Sequence, residues 1–379
     1  MPSQIIFGID HFLLQTKYND KRIALVTNDA AFTSQGVNTR VALLKNGFTI
    51  IKLFSPEHGL TATGADGAFI QSNFDIITGL PVISLYGDTI APTEKHLEDI
   101  DIVLFDIPDI GCRFYTYLWT MTYVMESCAA FNKLFILLDR PNPIGGNISI
   151  TEGPMLDEKN CSSFIGRWDI PVRHSCTFGE LANYFAATKI KTLQLEVIRI
   201  TNWQRNKIAT SFTPTSPAIQ NITTALLYPG MGLLEGININ EGRGTDKPFN
   251  ICGAPWINSE ALQHVFAQTN PAGIICKPYS YKPAEGLYAS QNCNGLQFFI
   301  TDEESFRPVV TGIKLLQTII SLYPNDVKER IYKTVANPIG HAHLDKLLGV
   351  QNAFIKIKKG MVNSAADAWH TIISPFLLY

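Results

Sequence analysis

Six short apolar runs, each of strand length and most of them ending in a polar cluster, constrain this chain more than any other feature. They cover residues 22–27, 48–54, 81–86, 101–107, 134–138 and 195–200. Between them, residues 37–46, 117–131 and 178–188 carry apolar side chains at helical spacing. Uninterrupted apolar strands alternating with helices predict an α/β fold, a mostly parallel sheet with helices on both faces. Beyond residue 203 the pattern loosens into loops rich in glycine and proline. Strand signals at 273–277 and 296–301 and helical patterns at 308–323 and near the C-terminus predict a smaller α+β auxiliary domain. The polar, proline-containing stretch 203–219 is the candidate boundary, giving expected domains of 1–205 and 206–379.

At 379 residues and 46% hydrophobic, the chain can bury a large core. Lys and Arg number 31 against 33 Asp and Glu, which leaves no basic footprint for nucleic acid or an anionic membrane. No run of 18 apolar residues predicts a membrane span. The opening MPSQIIFGIDHF lacks a basic segment followed by an apolar one, so no secretory signal is read. The expected compartment is therefore cytoplasmic, or periplasmic or extracellular if a leader has been trimmed. Seven scattered cysteines without a CxxC pair argue against a disulfide framework and a cysteine-built zinc site.

Parallel strands place their carboxyl ends along one edge, where open α/β sheets bind ligands. Reading past each run gives Asn28, then Ser55-Pro56-Glu57-His58, then Tyr86-Gly87. The fourth run ends in Asp106 and continues through Asp109 to Arg113, Tyr115 and Tyr117, and the fifth leads to Asp139-Arg140-Pro141-Asn142. Asn28 and Asp139 suit helix caps equally well, Arg140 suits an ion pair with Asp139 or Asp109, and one of Tyr115 and Tyr117 suits the core. In the second half, Tyr228-Pro229-Gly230 and Glu235-Gly236 lead to Glu241-Gly242-Arg243-Gly244-Thr245, where glycines let backbone approach a ligand beside two opposite charges. Glu152-Gly153-Pro154 offers a further carboxylate.

No GxGxxG, GxxxxGK[ST], HExxH or GxSxG is present, so no cofactor is expected. His341-Ala342-His343 could chelate a metal but reads as incidental, and no metal is expected. Carboxylates, arginines and aromatics without a cofactor suit glycosidic-bond hydrolysis, which needs one group to protonate the leaving oxygen and another to serve the anomeric carbon. From these residues alone the function reaches a hydrolase or binder of small polar ligands.

Nine ordered motifs carry a resemblance to the exo-β-N-acetylmuramidase family. They are FSPEHG (54–59), SLYG (84–87), FDIPDIGCRFYTY (105–117), LDRPNPIGG (138–146), EGP (152–154), FGELA (178–182), YPG (228–230), EGRGT (241–245) and GAPW (253–256). The resemblance implies a Rossmann-like domain and an auxiliary domain with the active site between them. It also implies release of N-acetylmuramic acid from the non-reducing ends of peptidoglycan-derived saccharides. The family's proposed catalytic acid falls on Glu57. Residue chemistry suggests the other roles. Glu241 or Asp109 would be the second carboxylate or would orient the 2-acetamido group, and Arg113 and Arg243 would grip the lactyl carboxylate. Tyr115 and His58 would position the ring, with Asn28, Tyr86, Asp106, Arg140, Asn142 and Thr245 completing the expected contacts. The chain departs from the family pattern at Pro108, Thr61-Ala62, Ile237 and the segment Thr215-Ser216-Pro217-Ala218. The competing functions are a silent binder of amino sugars or muropeptides, and an amidohydrolase or esterase using His58 or Cys176.

Overall fold

The computed structural model describes residues 4–65, 67–68, 73–335 and 337–379, so Met1 to Ser3 of the opening stretch and Asp66 of the loop after Gly59 lie outside the described residues. Seven strands form the main sheet: β1 (Arg22–Thr27), β2 (Thr49–Ser55), β3 (Asn73–Phe74), β4 (Pro81–Ser84), β5 (Ile102–Asp106), β6 (Leu134–Leu138) and β7 (Gln194–Ile198). Their order is β3-β4-β2-β1-β5-β6-β7, and every neighbouring pair is parallel except β3 with β4. The six apolar runs are thus six strands of one α/β sheet. The run at 81–86 stops at Ser84, because the Ser84 hydroxyl accepts the Tyr86 N–H at 3.2 Å and turns the chain. Strand β3 carries no apolar run, since it is a two-residue edge exposed at both positions.

Apolar continuity along the strands follows from burial on both faces. Ala24 and Val26 of β1 join a large core with Phe54, Val103 and Phe105, whereas Ile23 and Leu25 join a second core with Leu53, Ile102 and Leu104. Helix Tyr117–Ala130 is buried along most of its length in the larger core. Helix Phe178–Thr188 starts at a capping box between Thr177 and Glu180. No helix among the described residues is long and apolar enough to cross a membrane.

The second half contains a three-stranded antiparallel sheet, β8 (Ile251–Ala254), β9 (Ile274–Tyr281) and β10 (Cys293–Ile300), in the order β8-β10-β9. The segment read as a loop around Tyr228-Pro229-Gly230 is instead helical over Ile222–Met231, started by the Asn221 side chain, which accepts the Thr224 N–H at 2.9 Å. This helix crosses Pro308–Leu322 at a glycine contact. A Cβ on Gly230 would lie 2.0 Å from the Pro308 carbonyl oxygen, so close approach requires glycine there.

Buried charges tie the halves together. Glu152 pairs with Arg173 at 3.1 Å and accepts the Val309 and Val310 N–H groups at the start of helix Pro308–Leu322. The carboxylate of the Glu152-Gly153-Pro154 turn is therefore a structural cap. Asp139, fully buried after β6, accepts hydrogen bonds from Thr177, Gly179 and Tyr379. Burial pushes its carboxyl up to about 7, against the opposing effect of those donors. The native state then binds a proton that the unfolded state releases near pH 4, so stability falls as pH rises from about 4 to about 7. In urea titrations across that window, Asp139→Asn is expected to show a shallower decline in unfolding free energy than the native chain. Parallel declines would show that Asp139 does not carry the slope.

Candidate active site

A cleft of about 320 Å³ opens above the carboxyl edge of the main sheet, lined by residues from both the first part of the chain (57 to 219) and the second (228 to 347). Glu57 enters it directly after β2. Its Oε1 accepts the Gly67 N–H at 2.9 Å and its Oε2 accepts the Thr116 hydroxyl at 2.7 Å. A side chain only 7% exposed is thereby fixed by a loop and by the start of a buried helix. His58 holds a left-handed backbone (φ 67°), and its Nδ1 lies 2.7 Å from the Gly64 carbonyl. A carbonyl can only accept, so Nδ1 carries a proton. The ring edge packs on Tyr117 at 6.3 Å.

Aromatic side chains continue the wall. Tyr115 meets Tyr117 at 4.7 Å and Tyr228 at 6.0 Å, Phe114 meets Tyr228 at 5.1 Å, and Tyr228 meets Phe249 at 4.7 Å. The Tyr115 hydroxyl donates to Thr215 Oγ1 and the Tyr117 hydroxyl to the Thr215 carbonyl, each at 2.7 Å. Burial raises both phenols well above their ordinary range, which keeps them neutral donors. The segment that departs from the family pattern is therefore clamped against the wall, with Ser216 and Ala218 facing the cleft. Tyr115 lines the cleft and Tyr117 lies behind it.

The cleft also carries a carboxylate not selected from the sequence. Glu235 Oε1 lies 2.8 Å from Arg243 Nη1, and its Oε2 lies 3.5 Å from His343 Nε2. Burial opposes its ionisation, but Arg243, His343 and Arg330 outweigh it and hold the carboxyl below the usual range. His343 stacks on Tyr332 at 4.5 Å with 8° between the planes. Its imidazole is thus a cleft-wall group, paired with Glu235. The legible signals were the Glu235-Gly236 pair and the HxH, but nothing in either spacing says that they meet.

Of the expected site residues, Glu57, His58, Tyr86, Tyr115 and Arg243 line the cleft. The others are committed elsewhere. Asp106 accepts two bonds from Arg140, at 2.5 and 2.8 Å, and one from Thr39, so Asp106 and Arg140 form a buried ion pair beneath the sheet edge. Asn28 caps a turn by accepting the Ala30 N–H, and Asn142 holds the Cys176 carbonyl and the Ile144 N–H. Asp109 faces His174 at 3.2 Å, fully inside the protein. Arg113 is buried and donates to the carbonyls of Pro154, Ile170 and Leu347, which removes it from any ligand. Glu241, 1% exposed, lies 3.6 Å from Arg243 and 3.5 Å from Arg330 behind the wall, and burial raises its carboxyl. Thr245 closes a turn onto the Gly242 carbonyl. Cys176 is buried, donates to the His174 carbonyl, and burial pushes its thiol well above its ordinary value, which disfavours a cysteine nucleophile.

Fold and site together define an α/β protein with a cleft lined by carboxylates and aromatic side chains. The chain belongs to the exo-β-N-acetylmuramidase NamZ family: the N-terminal family model matches residues 23–223 and the C-terminal model residues 226–379. It is 39% identical over 326 residues to peptidoglycan β-N-acetylmuramidase NamZ of Bacillus subtilis, covering 84% of this chain and 78% of that protein. A crystal structure of a DUF1343 family protein from Bacteroides fragilis matches with TM-score 0.85 and 29% identity over 99% of each chain. A second protein of that family from the same organism matches with TM-score 0.75 and 25% identity, covering 100% of this chain and 99% of that one.

Replacing Glu235 by Gln leaves His343 without its anion and Arg243 with only the longer contact to Glu241. The variant is expected to lose roughly 3 kcal/mol of unfolding free energy near neutral pH. Because the native carboxyl is held low, that contribution is lost as pH falls below the ordinary carboxylate range, and the two proteins should converge there. Equal urea midpoints at pH 7 would show that the pair carries no stability.

Proposed function

We propose that this cleft releases N-acetylmuramic acid from the non-reducing ends of peptidoglycan-derived saccharides, with Glu57 as the general acid. The observation that carries the proposal is the setting of Glu57: a nearly buried carboxyl in the cleft, oriented by two hydrogen bonds and faced by an aromatic wall. The named activity of the Bacillus subtilis relative supports the same chemistry.

The two oxygens are suited to different work. Oε1 accepts a fixed backbone N–H whereas Oε2 accepts a rotatable hydroxyl, so Oε2 is the oxygen better suited to carry the transferable proton. The Thr116 hydroxyl donates to Oε2, and a protonated Oε2 can still accept it on its remaining lone pair while its own O–H points to the glycosidic oxygen. As the bond between the anomeric carbon and the glycosidic oxygen breaks, that proton goes to the leaving oxygen. Water supplies the hydroxyl that ends on the anomeric carbon, and its remaining proton ultimately restores Glu57. Glu235, its ionised form favoured by Arg243 and His343, is the second carboxylate of the cleft, suited to stabilise positive charge at the anomeric carbon or to hold the acetamido N–H. It replaces Glu241 and Asp109 in that role, because both lie behind the lining. Tyr115 and Tyr228 provide faces and edges for the ring, and His58 shapes the loop that presents Glu57.

General acid catalysis contributes about 10² to 10⁴ in rate. Glu57→Gln is therefore expected to lower kcat by at least about a hundredfold on a MurNAc-GlcNAc disaccharide. The loss should be smaller on a chromogenic MurNAc glycoside, whose leaving group needs less protonation. An equal loss on both substrates, or full turnover by Glu57→Gln, would remove Glu57 from the acid role. Binding of the sugars by the native chain with no release would indicate a binder instead.

A further inference from the structure

The proposed substrate carries a carboxylate on its lactyl group, yet neither arginine expected to hold it is available in a simple way. Arg113 is enclosed and bonded to three carbonyls. Arg243 reaches the cleft but is shared between Glu235 at 2.8 Å and Glu241 at 3.6 Å, and lies over the Phe249 ring at 4.7 Å. Its positive charge is already balanced by two acids.

Lys346 differs from both. It lines the same cleft, half-buried, on the short helix His343–Leu348 that also supplies His343. Its Nζ donates to the Asn337 side-chain oxygen at 2.9 Å, a neutral partner, and Asn337 itself lines the cleft. No carboxylate lies within ion-pair distance of Lys346 among the described residues. The acid beside it in sequence, Asp345, is turned away: its two oxygens accept the N–H groups of Asn352 and Ala353 at 2.8 and 2.7 Å, starting the next helix. Burial also lowers the Lys346 ammonium from its ordinary value, as expected of a cation short of water and of an anion.

We infer that Lys346, steadied by Asn337, is the residue that recognises the lactyl carboxylate and so separates N-acetylmuramic acid from neutral amino sugars. The assignment rests on the saccharide reading of the cleft but not on turnover. A carboxylate brought to Lys346 gains a charge-assisted hydrogen bond without breaking an existing ion pair, whereas at Arg243 it would compete with Glu235 and Glu241. Lysine acts here as a point charge, so discrimination comes from the ligand's charge more than from bidentate geometry.

Calorimetric titration with free N-acetylmuramic acid and with its lactyl methyl ester tests this without requiring hydrolysis. The native protein is expected to bind the acid at least about tenfold more tightly than the ester, the size of one charge-assisted hydrogen bond. Lys346→Met should bring the acid down to the affinity of the ester while ester binding stays unchanged, and Lys346→Arg should keep the preference. Thermal unfolding of each variant verifies that it is folded. A preserved preference in Lys346→Met, or an equal loss for acid and ester, would overturn the assignment, as would a native protein that does not prefer the acid. Each of these results stands apart from the Glu57→Gln kinetics, so failure of the acid assignment and failure of the Lys346 assignment are separately visible.

Discussion

Parallel alignment of β1, β2, β4, β5 and β6 is the constraint on which the rest of this molecule depends. A parallel pair points both carboxyl ends the same way, so the polar residues that stop each strand collect on one edge. Strands this largely buried cannot carry those polar groups within the sheet, because unpaired polar atoms there would cost several kcal/mol each. They must leave at the tips. Glu57, Tyr86, Asp106 and Arg140 lie along one edge for that reason, although more than 80 residues separate the first from the last.

Collection at an edge does not by itself make a site, and two populations of polar side chains share this one. Asp106 with Arg140, Asp139 with Thr177 and Gly179, and Asn142 with Cys176 satisfy one another and bring strand ends and helix starts together. Glu57 is held differently. It accepts from a loop N–H and a helix hydroxyl while remaining on the cleft surface. The buried pairs form a stiff floor, and the second half of the chain brings Glu235, Arg243, His343 and Lys346 across from it. Arg113 and Glu152 join floor to wall through carbonyl and N–H groups from both halves.

The strands of the main sheet were legible because burial on both faces writes a continuous apolar run. Residues 22–27 and 134–138 coincide with β1 and β6. Strand β3 and the helix Ile222–Met231 were not legible: the first is two exposed residues, and the second hides a proline and a glycine inside a helix packed against another glycine. At the site, Glu57 stood out since a proline before it and a glycine after it mark a rigid tip. Arg113 looked like a ligand-binding group only because sequence cannot distinguish a cation aimed at solvent from one aimed at three carbonyls. Glu235, His343 and Lys346 were passed over for the converse reason. Their meaning lies in a wall assembled across more than 100 residues, and no local spacing encodes it.

The central claim is that floor and wall enclose one sugar with its glycosidic oxygen at Glu57. A crystal structure with N-acetylmuramic acid bound measures this most directly. The account predicts the anomeric oxygen within hydrogen-bond reach of Glu57 Oε2, the ring against Tyr115 and Tyr228, and Glu235 on the facing side. A sugar seated away from Glu57, or with its anomeric end turned out of the cleft, would contradict it.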